Sequence, residues 1–207
     1  MGNEENGSNI IIDDTAIIGK DVKISDNVCI LGKSVIGDGC EISPNSVIKD
    51  SYLGEGCIIV ASHIEDSSLG KGCTVGPFAH IRANSKLGEK CRVGNFVEIK
   101  NSQIGNNSKM AHLAYVGDAI VGNNCNIGCG VVFCNYDGEK KQQSKLGDNV
   151  FVGSNANLVA PVSIADNAYI AAGSTINLDV GEGEFAIARE RQTNKKNFKN
   201  PYIKSKN

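Results

Sequence analysis

Tryptophan is absent from the 207 residues, methionine occurs twice, and tyrosine and phenylalanine together make up only 5% of the chain. A wide core filled by large rings is therefore excluded, and whatever core forms must be narrow and aliphatic. Net charge is also scarce: the formal balance is −2, with basic and acidic residues interleaved. No one-signed field is available to attract nucleic acid or an anionic membrane, so neither is expected as a partner. No apolar run approaches the length of a membrane span. The opening Met1 to Asn9 lacks the basic start and apolar stretch of a secretory signal, and Asn6 stands where a myristoylation signal carries Ser or Thr. These readings predict a cytoplasmic protein. No Cys-x-x-Cys pair occurs among the eight cysteines, and the three histidines, His63, His80 and His112, are spaced by 17 and 32 residues. A zinc centre of the carbonic anhydrase type on a repeat fold needs three converging histidines, two of them close in sequence, so no metal is expected.

What the chain has instead is glycine, 24 residues of it, and a period. An aliphatic residue, often followed by Gly, returns every six residues with occasional steps of five: Ile30, Ile36, Ile42, Ile48, Leu53, Ile59 and onward to Ile164, Ile170 and Ile176. A small residue usually lies four positions after the anchor, as with Cys40, Ser46, Ala79, Ser85, Ala156 and Ala168. Three such steps make one coil with three flat sides, which predicts an all-β left-handed parallel β-helix of hexapeptide repeats with about nine coils. The predicted boundaries are a lead-in over 1–15, the helix over 16–180 and a tail over 181–207. The glycine after each anchor is expected to provide backbone conformations that a side chain would hinder. Counting around the coil places Cys40, Cys57, Cys73, Cys91, Ser108 and Cys125 along one interior edge. Five cysteines then serve as compact fillers rather than as disulfides or metal ligands. The polar stretch 135–145 is too long for a coil corner and should project as a loop, the kind of place where binding groups sit.

Outward residues follow from the same count. Arg82 and Lys100 come 18 residues apart on one face. They should stack on consecutive coils, where a bound anion such as phosphate would relieve their repulsion. His112 should also point outward, one coil from Asn95, as the side chain best suited to move a proton near neutral pH.

Several segments carry a resemblance that the period alone does not explain: GPFAHIR at 76–82, VGNFVEIK at 93–100, HLAYVGDA at 112–119, NIGCG at 126–130, CNYDG at 134–138, FVGSNANLVAPV at 151–162 and IAAGST at 170–175. The run from Gly76 to Gln192 resembles the acetyltransferase domain of the bifunctional bacterial glucosamine-1-phosphate acetyltransferase/N-acetylglucosamine-1-phosphate uridyltransferase family. Weaker likeness continues upstream to about Asn9. The resemblance implies acetyl transfer from acetyl-CoA to the amine of glucosamine 1-phosphate, in the pathway to UDP-N-acetylglucosamine, without a metal. It implies His112 as general base supported by Glu98, and Arg82, Lys100, Tyr115, Asn126 and Lys141 as the residues that bind the amino-sugar phosphate. It further implies Asn135, Tyr136, Cys129, Ser154, Ala172 and Arg189 at the acetyl-CoA site, with Lys195 helping at the cofactor's phosphates. A homotrimer with sites shared between chains is the implied assembly, the 135–145 loop reaching sugar-binding residues of a neighbour.

The sequence departs from the family pattern at some points. The family's uridyltransferase domain has no counterpart in the 75 residues before Gly76, which read as further coils, so uridyl transfer is not expected. Ala83 stands where a proline is usual, Cys129 where alanine also occurs, and Lys145 is expected close to the interior before Leu146. Two other readings stay open: an acetyltransferase for a different amino sugar, such as a nucleotide-linked one, and a non-catalytic homologue.

Overall fold

The structure is a computed structural model that describes residues 9–196, so the start of the predicted lead-in and the end of the predicted tail lie outside the described residues. It is a left-handed parallel β-helix whose three faces are parallel sheets of ten, nine and ten short strands. The first face runs from Ile11–Ile12 to Thr175–Ile176, the second from Ile17–Ile18 to Val162–Ile164, and the third from Lys23–Ile24 to Phe185–Ala186. Each strand pairs with those one coil before and after it, so every pairing is between residues 16 to 18 positions apart except across the one insertion. Among the described residues no helix is long and apolar enough to cross a membrane.

The coil count is about ten rather than nine, because strands form beyond both ends of the 16–180 span. Ile11–Ile12 pairs with Cys29–Leu31, and Phe185–Ala186 pairs with Tyr169–Ile170. The end strands lie where the hexapeptide anchors are weakest, and parallel pairing to a finished neighbouring coil is enough to hold them.

The predicted anchors fill the axis. Ile30, Ile48, Ile59, Ile64, Ile81, Ile99, Met110, Phe133 and Leu158 have no exposed surface, whereas Ile18 and Ile24, near the open end of the stack, are half-buried. Phe133 is the one ring among the fully buried large side chains of the described residues, as a narrow aliphatic core requires. The cysteines form the expected interior column as free thiols. Each reaches across to the next coil: the Sγ atoms of Cys40, Cys57, Cys73, Cys91 and Cys125 donate to the carbonyls of Gly54, Gly70, Gly88, Gly105 and Gly147 at 3.1–3.2 Å. Ser108 makes the same bond to Gly122 at 2.8 Å. The thiol of Cys40 is pushed up by its bond with Cys57 and by burial, and burial pushes Cys125 up. Cys91 goes the other way, held down by its bond with Cys73.

The glycines at this corner answer a constraint different from the one expected. Gly37, Gly54, Gly70, Gly88, Gly105 and Gly122 have no left-handed φ. What excludes a side chain is the next coil: a Cβ on Gly105 would lie 2.5 Å from the carbonyl carbon of Gly122, and one on Gly37 would lie 2.7 Å from the amide nitrogen of Glu55. Glycines of the other kind also occur, for example Gly39, with φ of 65° and nothing within 4 Å of where a Cβ would stand.

The insertion folds as a hairpin. Tyr136 and Lys141 bridge antiparallel, Gln142 N–H donates to the Asn135 carbonyl, and Asp137 accepts from the amides of Glu139 and Lys140 at the tip. Those amides, with Gln142, hold the Asp137 carboxyl down to about 2. The chain rejoins the second face at Ser144–Leu146. Lys145 is exposed there, not near the interior; alternation along the strand puts Ser144 and Leu146 inward instead.

The two glycine classes predict opposite outcomes. Gly105→Ala should lower stability by roughly 1–3 kcal/mol, the usual cost of overpacking, while Gly39→Asn should change it by only a few tenths, since Asn tolerates the left-handed region. Thermal and urea denaturation of the two variants checks this, and equal losses would refute the close-approach explanation.

Candidate functional site

The outward residues gather along one edge of the prism, where the third face turns into the first, and on the adjoining first face. Asn95 and His112 face each other on successive coils. His112 is exposed, and its Nδ1 lies 2.6 Å from Asn95 Oδ1. An amide oxygen can only accept, so Nδ1 carries the hydrogen, and the neutral tautomer that this bond selects keeps its lone pair on Nε2. Continuing the register of the third face through Ile127, Val152 and Ile170 puts Cys129, Ser154 and Ala172 in line after His112, one per coil. Three steps of about 4.8 Å make a file of small residues roughly 14 Å long. Arg189 follows at its end, the side chain lying against Gly173. Lys195 is exposed in the tail beyond the last strand.

On the first face Arg82 and Lys100 are direct neighbours, as the spacing predicts. Their repulsion is already relieved within the chain. Glu98 accepts from Arg82 Nε at 2.8 Å and from Nη2 at 2.7 Å, and Lys100 Nζ lies 3.6 Å from Asp118 Oδ2. Neither a bound anion nor splayed, solvated side chains are needed to explain the stack. This pairing also places Glu98 within the chain. It stands in register with His80 and Tyr115 in the middle of the first face, and its carboxylate is engaged by Arg82, while the partner of the His112 ring is Asn95 at the edge.

Lys141 comes from the hairpin to the same place. The Lys100 ammonium beside it holds the Lys141 pKa below its ordinary value. Within the chain the loop thus meets Lys100. Tyr115 is tied in through its hydroxyl, which accepts from Asn135 Nδ2 at 3.2 Å. Gly117, opposite Lys100, leaves the space that the Tyr115 hydroxyl and the Asn135 amide occupy. Tyr136 is exposed, its hydroxyl donating to the Gly138 carbonyl at 2.6 Å. Asn126 lies on the third face beside Lys109, half-buried and separate from the cation group.

Asp118 is a member of this group that the sequence alone does not single out, although it lies inside the segment HLAYVGDA. Burial pushes its carboxyl up, but hydrogen bonds from Asn101 and Asn135 and the ammonium groups of Lys100 and Lys141 outweigh that and hold it below the usual carboxylate range. Three cations and two carboxylates leave this cluster one positive charge in excess. His63 and His80 stack on each other at 5.0 Å with Glu65 beside both, further along the first face from His112.

The family model described as the GMPPB C-terminal domain matches residues 6–89 and 63–136, and the bacterial transferase hexapeptide model (six repeats) matches 143–177. Among curated proteins, the bifunctional protein GlmU of Clostridium novyi is 52% identical over 200 residues, covering 94% of this chain and 44% of its own length. GlmU of Caldicellulosiruptor saccharolyticus is 53% identical over 183 residues, covering 88% and 40%. The chain spans less than half the length of these relatives. Solved structures of UDP-N-acetylglucosamine acyltransferases from Arabidopsis (TM-score 0.62, 20% identity, 85% of this chain and 70% of that one) and Campylobacter jejuni (0.63, 18%, 88% and 71%) share the fold. With its family model spanning more than half of the sequence, the protein belongs to the GMPPB C-terminal domain family of hexapeptide β-helices, and within it is similar over nearly all its length to GlmU, consistent with that protein's acetyltransferase domain.

Proposed function

We propose that this chain transfers the acetyl group of acetyl-CoA to the amine of glucosamine 1-phosphate, a step toward UDP-N-acetylglucosamine. The observation that carries the proposal is the alignment of one exposed histidine with two differently built surfaces. Along the edge, His112 heads the file Cys129, Ser154, Ala172 and Arg189, which suits an extended thioester arm with a cation near its far end. On the face beside it, Arg82, Lys100 and Lys141 present the excess positive charge that a sugar phosphate needs. The acceptor's amine then meets the thioester carbonyl near His112 Nε2.

The reaction balances without a covalent enzyme intermediate. The amine nitrogen attacks the thioester carbonyl, His112 Nε2 takes a proton from that nitrogen, the C–S bond breaks, and the coenzyme A thiolate leaves with a proton. Asn95 keeps the Nδ1–H tautomer through the cycle. Glu98 fixes Arg82 within its own chain, and its support of His112 rests on the resemblance. Asn126 and Lys195 are placed in the acceptor and cofactor sites by resemblance alone.

The expected assembly is a homotrimer. Supporting it is a ridge at the same edge: Phe78, Phe96 and Leu113 are each more than half exposed, and the two rings stack at 5.5 Å. All three have left-handed φ, at 59°, 56° and 48°, in a corner where other coils use Asn, Gly or, at Ala61, a small residue. Large apolar residues in that conformation are locally costly, and burial against another copy offsets the cost.

Coenzyme A release with a panel of amino sugars tests the reading, and glucosamine 1-phosphate should be the best acceptor; activity only on nucleotide-linked sugars would replace it with the other-acceptor reading. His112→Ala should lower turnover by roughly 10²–10⁴ with acetyl-CoA binding retained. Lys100→Ala, which loses a charge-assisted phosphate contact worth about 1.5–3 kcal/mol, should mainly raise the KM for the sugar phosphate. Near-normal turnover in the His112 variant would remove the general base from the scheme. Light scattering should report a trimer, and Phe96→Asn should shift it toward monomer while leaving the coil fold, read by circular dichroism, unchanged.

A further inference from the structure

The corner that follows the first face is occupied on successive coils by short residues with left-handed φ, among them Asp50 (45°), Asp66 (46°), Asn101 (48°) and Asp118 (50°). Asp and Asn tolerate this conformation, and most corner residues need no further explanation. Asp50, Asp66 and Asn101 are exposed; Asp118 is buried, its side chain only 11% exposed.

What surrounds Asp118 sets it apart. Its carboxylate accepts from the side-chain amides of Asn101, one coil before, and Asn135, one coil after, and lies 3.6 Å from Lys100 Nζ. Its own backbone carbonyl accepts from the amide of Ser144 at 3.3 Å. Asn135 opens the hairpin and Ser144 closes it, so one residue holds both feet of the insertion. The same carboxylate faces the cation on which the acceptor's phosphate is proposed to sit. Remove its charge and Lys100 and Lys141 are left to repel each other, while Asn135 loses an acceptor.

We propose that Asp118 is the positioning residue that ties the two halves of the site together: its buried carboxylate fixes Lys100 for the acceptor and the foot of the 135–143 hairpin for acetyl-CoA. The assignment of those two ligands rests on the function proposed above; the clasp itself rests on the contacts of Asp118. Asp118 touches neither reacting atom, so its loss should appear in binding more than in the chemical step.

Asp118→Asn tests this, because an amide of the same shape turns a donor toward the donors of Asn101 and Asn135 and removes the charge opposite the lysines. Three quantities are read on the full chain: the rate of trypsin cleavage after Lys140 and Lys141, the affinity for acetyl-CoA by calorimetry, and the KM for glucosamine 1-phosphate alongside kcat. Cleavage should accelerate several-fold, and acetyl-CoA affinity and sugar-phosphate KM should each weaken by about tenfold, with kcat changed much less. Asn135→Ala should weaken acetyl-CoA and loosen the hairpin, and through Lys141 should raise the sugar-phosphate KM, but by clearly less than Asp118→Asn, which frees Lys100 as well; equal rises would make the clasp local to the hairpin. Should Asp118→Asn fail to fold, Asn101→Ala removes one bond to the carboxylate from the exposed side and should move the same quantities in the same direction by two- to threefold. A folded Asp118→Asn protein with wild-type cleavage and acetyl-CoA affinity overturns the proposal, as does an unfolded one paired with a silent Asn101→Ala. If wild-type chain fails to acetylate glucosamine 1-phosphate while cleavage still accelerates in Asp118→Asn, the function reading falls and the clasp stands.

Discussion

Everything in this molecule hangs on how closely one coil can approach the next. Parallel strands must sit about 4.8 Å apart to bond, and at the corner beyond the second-face anchors from Ile18 to Leu146 that distance leaves no room for a Cβ. Glycine there brings a bare carbonyl against the neighbouring coil, and a thiol or hydroxyl from inside the prism donates to it. Steric exclusion and hydrogen bonding thus select the two positions jointly: a glycine on one coil, a small donor on another. Five of the eight cysteines and the glycines opposite them, odd as composition, are two sides of that one requirement.

The same spacing builds the site. Side chains on one column are brought into mutual contact because their backbones are locked in register, not because a pocket has been sculpted around a ligand. Cations separated by a full coil in sequence become neighbours, and carboxylates from the same or the next coil keep them from repelling. The hairpin is the one element whose position the repeat does not determine, and Asp118 is where it is fastened.

Periodicity makes the architecture readable, since anchors, small inward residues and the face of every outward residue follow from counting. It is less informative at the ends, where Ile11–Ile12 and Phe185–Ala186 pair with completed neighbours despite weak patterning. Side-chain partnerships are harder still. Glu98 and Asn95 both lie within a few residues of the register of His112, and counting cannot tell which one the ring meets; an edge residue meets an edge residue, and Glu98 turns to Arg82 instead. Lys145 reads as inward because the insertion obscures the phase of the strand that follows it. Asp118 is inconspicuous because a short acidic residue at a corner is usually there for its backbone conformation, and only burial distinguishes it from Asp50 and Asp66.

The strands that carry the proposed site begin with His80–Arg82, and four first-face strands precede them. Those earlier coils contribute none of the proposed ligand contacts, yet they share the axis, the interior column and the pitch. They form a stalk whose length is quantised. Loss or gain of a complete coil would leave every outward file in phase, whereas loss of one side of about six residues would rotate everything downstream onto the wrong face. Evolution can therefore lengthen or shorten this stalk freely in units of a turn while the chemistry at its far end stays in one piece.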